Sequence, residues 1–98
     1  MQERDYQSKL KKKIKERFPG SVILKNDPTH KQGIPDLLVL YKDRWGALEV
    51  KRSEKAKERP NQSLRVEKLN SMSFSAIIFP ENEKEVLDAM EQSFSRRS

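Results

Sequence analysis

Two β-strands and the turn between them are predicted from residues 33–51, which read GIPDLLVLYKDRWGALEVK. The apolar run Asp36–Tyr41 is typical of one strand, and Trp45–Arg52 is typical of the next. Residues 42–44 are polar and have the length of a hairpin turn, so the two strands should pair in antiparallel fashion. We therefore expect a hairpin at the centre of the fold.

Three ionisable side chains should meet at one end of this hairpin. Side chains alternate across a strand, so Glu49 and Lys51 share one face while Leu48 and Val50 point the other way. The antiparallel register sets Asp36 opposite the Glu49–Lys51 segment, give or take a residue or two. A purely structural explanation is that Asp36 caps a turn and that Glu49 forms an ion pair with Lys51. It accounts for each residue singly, but not for the convergence of all three beside buried strands.

Two carboxylates and an ammonium group in one place suit phosphodiester chemistry. Neighbouring carboxylates repel each other and one tends to take up a proton, a conflict that a divalent cation removes. All-oxygen ligands suit Mg²⁺ or Mn²⁺. Such an ion can polarise a phosphate oxygen and acidify a water molecule, and Lys51 can orient that water or stabilise charge in the transition state. The cluster therefore predicts a metal-dependent nuclease.

Composition and charge agree with a nucleic-acid partner. The 98 residues carry a formal net charge of +6 and give a pI of about 9.7, and basic proteins attract polyanions. The lack of cysteine excludes disulfides, a thiol nucleophile and Cys-type zinc sites, and a single histidine argues against a His-rich metal site. No apolar stretch suits a signal peptide or a membrane span, so we expect a soluble, cytoplasmic protein.

A helix and a strand are predicted before the hairpin. Apolar residues recur every four positions from Tyr6 to Phe18, which marks one face of a helix that ends at Pro19. Ser21–Lys25 predicts a first strand, and the polar residues 26–33 predict a loop. The other faces of the helix carry cations that are either simply solvated or face phosphates. They are Lys9, Lys11, Lys12, Lys13, Lys15 and Arg17.

The segment after the hairpin predicts two helices and one strand. Residues 53–60 are charged and loop-like, a helix capped by Asn61 runs to about Met72, and a strand follows at Ala76–Phe79. Asn82 and the glutamate three residues later resemble a capping pair for the last helix. The predicted inner residues are Leu64, Leu69 and Met72 in the first of these helices, and Val86, Leu87, Met90 and Phe94 in the second. The order α-β-β-β-α-β-α predicts one mixed α/β domain over residues 1–98.

These residues resemble the PD-(D/E)xK nuclease superfamily. Ile34-Pro35-Asp36 followed by Glu49-Val50-Lys51 matches its signature. The phrase GIPDLL at residues 33–38, and Asn61-Gln62 on the following helix, are similar to the VRR-NUC type of small, often phage-encoded nucleases and to archaeal-type Holliday-junction resolvases. The resemblance runs from the first helix through the last strand. It implies a restriction-endonuclease-like core, with a mixed four-stranded sheet flanked by helices, and a phage or bacterial origin.

The resemblance also implies a role for each matching residue at the hairpin. Asp36 and Glu49 would ligate Mg²⁺ or Mn²⁺ together with the backbone carbonyl of Val50. Lys51 would be the catalytic lysine. The implied reaction is hydrolysis of a phosphodiester bond in DNA by an endonuclease selective for structure, such as a junction, a flap or a nicked duplex.

Residues outside the hairpin receive further roles from the same resemblance. Gln62 matches a glutamine that supports the site. Glu3, at the start of the first helix, matches an acidic residue that completes it, and Glu16 at the far end of that helix is the competing candidate. His30 lies in a polar loop and is more simply an ordinary loop residue than a ligand.

Several basic residues border the predicted site in sequence. We expect contacts to the DNA backbone from them, because such contacts depend on lysine and arginine. They are Lys25, Lys31, Arg52, Lys55, Lys57 and Arg59. Two rival functions remain open: a non-catalytic nucleic-acid-binding module on the same fold, and a small basic interaction protein.

A homodimer is the predicted assembly. A short chain has a small core, so an added apolar interface would stabilise it. Two strands of DNA also call for two active sites in matching symmetry. Two regions are candidates for the interface, the hairpin around Trp45 and the C-terminal helix with Met90 and Phe94, because each can leave apolar surface uncovered. Ordinary packing of Trp45 is the alternative.

Overall fold

A computed structural model describes residues 2–26, 34–56 and 62–96 of the chain. The elements are α1 (Glu3–Arg17), β1 (Val22–Lys25), β2 (Leu37–Tyr41), β3 (Arg44–Val50), α2 (Gln62–Met72), β4 (Phe74–Ile78), a 3₁₀ turn (Pro80–Asn82) and α3 (Glu83–Ser95). This order confirms the predicted α-β-β-β-α-β-α arrangement. None of the described helices combines the length and the apolar character that crossing a membrane would require.

The four strands form one mixed sheet in the order β1-β2-β3-β4. The first three strands run antiparallel to one another, whereas β3 and β4 are parallel and are joined through α2. The β2–β3 hairpin is confirmed, but its turn is one residue shorter than predicted, because Arg44 pairs with Tyr41 as part of the ladder. Lys42 in this turn has a φ of 57°, a left-handed conformation that hairpin turns commonly require.

Alternation of side chains divides the sheet into a core face and a second face. On the core face, Leu37 lies opposite Leu48, and both are fully buried under α1 and α3. The whole core cluster comprises Tyr6, Leu10, Ile14, Phe18, Leu37, Val39, Leu48, Val50, Phe74, Ile78, Val86, Leu87 and Met90. The second face carries Glu49, Lys51 and Asp36 by the same alternation, with α2 packed on its β3–β4 side.

Hydrogen bonds and ion pairs join α1 to α3. The hydroxyl of Tyr6 donates to Glu83 Oε1 at 2.9 Å, and Lys13 Nζ donates to Glu83 Oε2 at 2.8 Å. Burial and then the hydrogen bond to Glu83 raise the pKa of Tyr6 well above its ordinary value. At the other end of α1, Arg17 contacts Asp88 and Glu91. Two of the predicted phosphate-facing cations of α1 are therefore paired within the domain.

The inner side of α2 differs from the predicted one. Leu64 and Met72 are 66% and 62% exposed, whereas Gln62 is buried and Leu69 is partly buried. At 100° per residue, Leu69 lies only about 20° around the helix from buried Gln62, whereas Leu64 lies about 160° away, so the side that faces the sheet is centred on Gln62 and Leu69. The helix instead turns Gln62 inward, and Asn70 accepts a hydrogen bond from the backbone N–H of Ser75 at 3.0 Å.

Two details at the C-terminal end were also wrong in the prediction. β4 begins at Phe74, two residues before the predicted start, because Ser75 Oγ donates to the carbonyl of Ala47 at 2.9 Å and extends the contact with β3. Asn82 does not cap α3 with its side chain. It accepts from Phe79 N at 2.9 Å and donates to the carbonyl of Ile77 at 3.0 Å, which ties the turn to β4.

Candidate active site

Asp36 is held at the end of β2 by two hydrogen bonds. Its carboxylate Oδ2 accepts from the backbone N–H of Val50 at 2.9 Å, and its carbonyl accepts from Asn26 N at 2.8 Å. The pairing of Leu37 with Leu48, extended by one residue, sets Asp36 opposite Glu49. The predicted register therefore holds, and the Asp36 carboxylate reaches the strand that carries Glu49 and Lys51.

Glu49 and Lys51 lie at the C-terminal end of β3 and are both buried. Glu49 is 7% exposed and Lys51 is 5% exposed, although charged side chains seldom lie so deep. The backbone of Lys51 is fixed by its N–H, which donates to the carbonyl of Ile78 at 2.9 Å. Its Nζ lies 3.5 Å from the carbonyl oxygen of Ala56. Burial of this charge requires partners nearby, and carboxylates on the same face supply the right sign.

The backbone of Val50 presents a further oxygen at this end of the sheet. In a strand, the N–H and C=O of one residue point to the same side. The N–H of Val50 points to Asp36, so its carbonyl also points toward β2. Lys51, the next residue, turns its N–H to β4 instead.

The donor set of this site fits a hard divalent cation. Asp36 and Glu49 supply carboxylate oxygens and Val50 supplies a carbonyl, which are the ligands that Mg²⁺ and Mn²⁺ prefer. Within residues 2–26, 34–56 and 62–96, no three side chains among His, Cys, Asp and Glu come close enough to hold a metal together. Glu3 thus does not join Asp36 and Glu49 in a three-carboxylate group.

The remaining predicted site residues take distinct positions. Gln62 is buried at the start of α2, the helix that packs on the face from which Glu49 projects. Glu3 is exposed on the first turn of α1. That turn lies at the same end of the sheet as Glu49 and Lys51. Tyr6, three residues after Glu3, donates a hydrogen bond to Glu83, which follows the C-terminal end of β4, and β4 runs parallel to β3. Glu16 is exposed at the opposite end of α1.

Gln7 is a buried polar residue of α1 that was not predicted from the sequence. It is 5% exposed, and its Oε1 is buried without a hydrogen-bond partner in the described part of the chain. It lies one helical turn after Glu3 on α1. The available signal was its position three residues before Leu10 and seven before Ile14, which places a polar group on the apolar side of the helix.

The predicted phosphate-binding residues divide into three groups. Arg52 and Lys55 are exposed in the turns that directly follow Lys51. Lys25 is exposed at the end of β1, but its pairing with Leu37 places it on the core face, away from the Asp36 carboxylate. The other three, Lys31, Lys57 and Arg59, lie outside the described part of the chain, as does His30, which was predicted to be an ordinary loop residue.

A solved structure described as a "VRR_NUC domain" shares this fold. It matches with a TM-score of 0.61 and 24% sequence identity, and the match covers 83% of this chain and 92% of that chain. No protein-family model and no curated protein matches the sequence. The structural likeness establishes the VRR_NUC-like fold that the sequence predicted.

Proposed function

We propose that this protein is a metal-dependent endonuclease that hydrolyses phosphodiester bonds in DNA. One observation carries the proposal. The carboxylate of Asp36 is hydrogen-bonded to the backbone of the same strand end that bears buried Glu49 and Lys51. The similarity to a solved VRR_NUC domain supports it further, because that name denotes a nuclease fold.

Asp36, Glu49 and the carbonyl of Val50 would hold Mg²⁺ or Mn²⁺. When bound, such an ion polarises the scissile phosphate and acidifies a water molecule. Lys51 would donate from its Nζ to a phosphate oxygen, since it is a buried cation at the strand end that bears Asp36 and Glu49. Gln62 would position these groups from α2, and Glu3 would supply a further acidic group from the first turn of α1 at the same end of the sheet.

The substrate would be branched or interrupted DNA, such as a junction, a flap or a nicked duplex. The sequence resemblance supports this choice, and the exposed cations beside Lys51 support backbone contact. Arg52 and Lys55 would contact phosphates of the DNA backbone, as would Lys31, Lys57 and Arg59. Lys25 has weaker support as a phosphate contact, because its pairing with Leu37 puts it on the core face of the sheet. A homodimer inside the cell would supply two active sites for two strands.

A cleavage assay with matched variants tests the chemistry. Glu49→Gln and Lys51→Met should each lower the rate by at least about 100-fold with Mg²⁺ or Mn²⁺. Glu54→Gln is the matched control, since Glu54 is an exposed glutamate in the turn after Lys51. The panel should include junction, flap, nicked, duplex and single-stranded DNA. Cutting by Glu49→Gln at the wild-type rate would overturn the site, and tight binding without any cutting would favour the non-catalytic module.

A salt titration tests the DNA surface. Each lost phosphate contact should reduce the slope of log affinity against log salt by about 0.9. Lys55→Ala should show that change, because Lys55 is exposed beside the site. Lys12→Ala should leave the slope unchanged, because α1 packs on the opposite face of the sheet. The reverse result would move the DNA surface to α1.

A further inference from the structure

The buried side chain of Gln7 in α1 has no role in the mechanism proposed above. It is 5% exposed, and its Oε1 has no hydrogen-bond partner in the described part of the chain. Atoms of this kind are rare, since a buried polar atom without a partner destabilises the fold, and they commonly mark a place where water, an ion or a ligand binds. The Oε1 of Gln7 therefore requires a donor that the described residues do not supply.

Gln7 lies on the side of α1 that faces the sheet. At 100° per residue it is about 20° around the helix from Ile14 and about 60° from Leu10, both of which are fully buried in the core. Glu3, one turn earlier, lies about 40° from Gln7 on the same side. The amide of Gln7 is thus directed between α1 and the sheet and not to solvent.

The level of Gln7 along the sheet is that of Asp36 and Glu49. The C-terminal end of α1 lies at the β2–β3 turn, where the ring centroids of Phe18 and Tyr41 are 5.3 Å apart. Gln7 precedes Phe18 by 11 residues, which is about 17 Å along a helix. From Tyr41 back to Asp36 the strand also extends over about 17 Å. Gln7 therefore lies over the strand end that carries the two carboxylates.

The backbone donors at this strand end are already used. The N–H of Val50 donates to the carboxylate of Asp36, and the N–H of Lys51 donates to the carbonyl of Ile78. The side chains of Val50 and Ile78, on the core face beneath α1, are aliphatic and have no donor. A donor for the Oε1 of Gln7 therefore has to come from a bound water or ligand.

We propose that Gln7 is a positioning residue for the divalent cation, and that its Oε1 accepts a hydrogen bond from a water molecule bound to that cation. The inference rests on the proposed function, which puts the cation at Asp36, Glu49 and the carbonyl of Val50. Mg²⁺ held by one or two carboxylates keeps several of its water molecules. The cation acidifies such a water, which makes the water a strong donor. An amide oxygen can hold this water without adding to the repulsion between the two carboxylates.

Isothermal titration calorimetry with Mn²⁺, together with thermal melts in chelator, tests the role of Gln7. Gln7→Met keeps the length of the side chain and removes the amide. It should raise the Kd for Mn²⁺ by at least about 10-fold, the usual effect of losing a group that orients the ligands of a metal. In chelator it should melt at or above wild type, because an unpaired buried oxygen is gone. Gln92→Met is the matched control and should keep the wild-type Kd, since Gln92 is an exposed glutamine of α3.

Gln7→Glu should change both measurements in a different way. It keeps an acceptor oxygen and adds a charge at a buried position near two carboxylates, so in chelator it should melt below wild type. The added charge attracts the cation, so its Tm should rise more with Mn²⁺ than the Tm of wild type does. A glutamate at a purely structural position would lower the Tm equally with and without Mn²⁺. If Gln7→Met does not fold by circular dichroism, this comparison decides, and a rise no larger than that of wild type overturns the inference.

The outcomes separate this inference from the proposed nuclease activity. If Asp36→Asn abolishes Mn²⁺ binding but Gln7→Met keeps the wild-type Kd, the metal centre stands and the role of Gln7 is wrong, whatever the Tm of Gln7→Met in chelator. If Gln7→Met binds Mn²⁺ more weakly and wild type cuts no DNA, the inference is supported and the nuclease activity is not. If wild type binds no Mn²⁺, both the metal centre and the role of Gln7 are overturned.

Discussion

Replacing Asp36 by asparagine and by alanine should separate two roles of its carboxylate. The side chain accepts the backbone N–H of Val50 at 2.9 Å, and it brings a negative charge close to Glu49. Asparagine keeps an acceptor oxygen and removes the charge. Alanine removes both. Because neighbouring carboxylates repel each other, loss of the Asp36 charge alone should stabilise the metal-free protein. The hydrogen bond to Val50 reverses that expectation for alanine.

The magnitude follows from the burial of Val50. Val50 is 1% exposed, so its N–H would lose its partner in a place that water does not readily reach. A buried donor left without a partner costs about 1–3 kcal/mol. For a domain of this size, 1 kcal/mol corresponds to roughly 4–8 °C in Tm. We expect Asp36→Ala to melt about 4 °C or more below Asp36→Asn, and Asp36→Asn to melt at or above the metal-free wild type.

Thermal melts in chelator and in Mg²⁺ measure both roles. A ligand at ten times its Kd stabilises the folded state by about 1.4 kcal/mol. The wild-type Tm should therefore rise with Mg²⁺, and neither variant should respond. Equal Tm values for Asp36→Ala and Asp36→Asn in chelator would refute the role of the Val50 hydrogen bond. A full Mg²⁺ response in Asp36→Asn would refute the role of Asp36 as a ligand.

Three further predictions concern the packing that supports the site. Gly46→Ala should lower the free energy of unfolding, measured in urea, by about 1–3 kcal/mol, because the added Cβ would lie 2.8 Å from the Sδ of buried Met90 in α3. Tyr6→Phe should cost about 1–3 kcal/mol in the same assay, since it removes the hydrogen bond to the Glu83 carboxylate. Below pH 4 the Tm should fall less in Asp88→Asn than in wild type. The hydrogen bond from Arg17 lowers the pKa of Asp88 below its ordinary value of 3.8, so the stability it adds is present above that pH and is lost in acid.

The candidate site could be predicted from the sequence because strands impose a strict rule. A short turn fixes antiparallel pairing, and alternation then fixes which side chains share a face. These two rules placed Asp36 at the Glu49–Lys51 segment although the turn was misjudged by one residue. Burial of Lys51 could not be predicted, since it depends on how β4 and the turn after β3 close over the strand end. The Val50 hydrogen bond could not be predicted either, since it depends on the conformation of the Asp36 side chain.

The predicted inner faces of α1 and α3 are confirmed, whereas that of α2 was wrong because the phase of this short helix depends on tertiary contacts. In α2, Leu64 and Met72 were expected inside and lie outside, while polar Gln62 is buried. The apolar residues of a short helix do not show which side faces the sheet when a polar side chain of the helix also binds a neighbouring strand. Asn70 is such a side chain, since it accepts a hydrogen bond from the backbone N–H of Ser75 in β4.

β3 links the core to the proposed chemistry through its register. Leu48 and Val50 pack under α1 and α3, and Glu49 and Lys51 project from the other face. A shift of one residue against β2 would exchange the two sets and bury the charged pair in the core, which makes that shift very costly. The same register brings the Val50 N–H to Asp36. Core packing therefore selects the alignment in which the carboxylates meet, and residues that never touch DNA help to fix the geometry of the site.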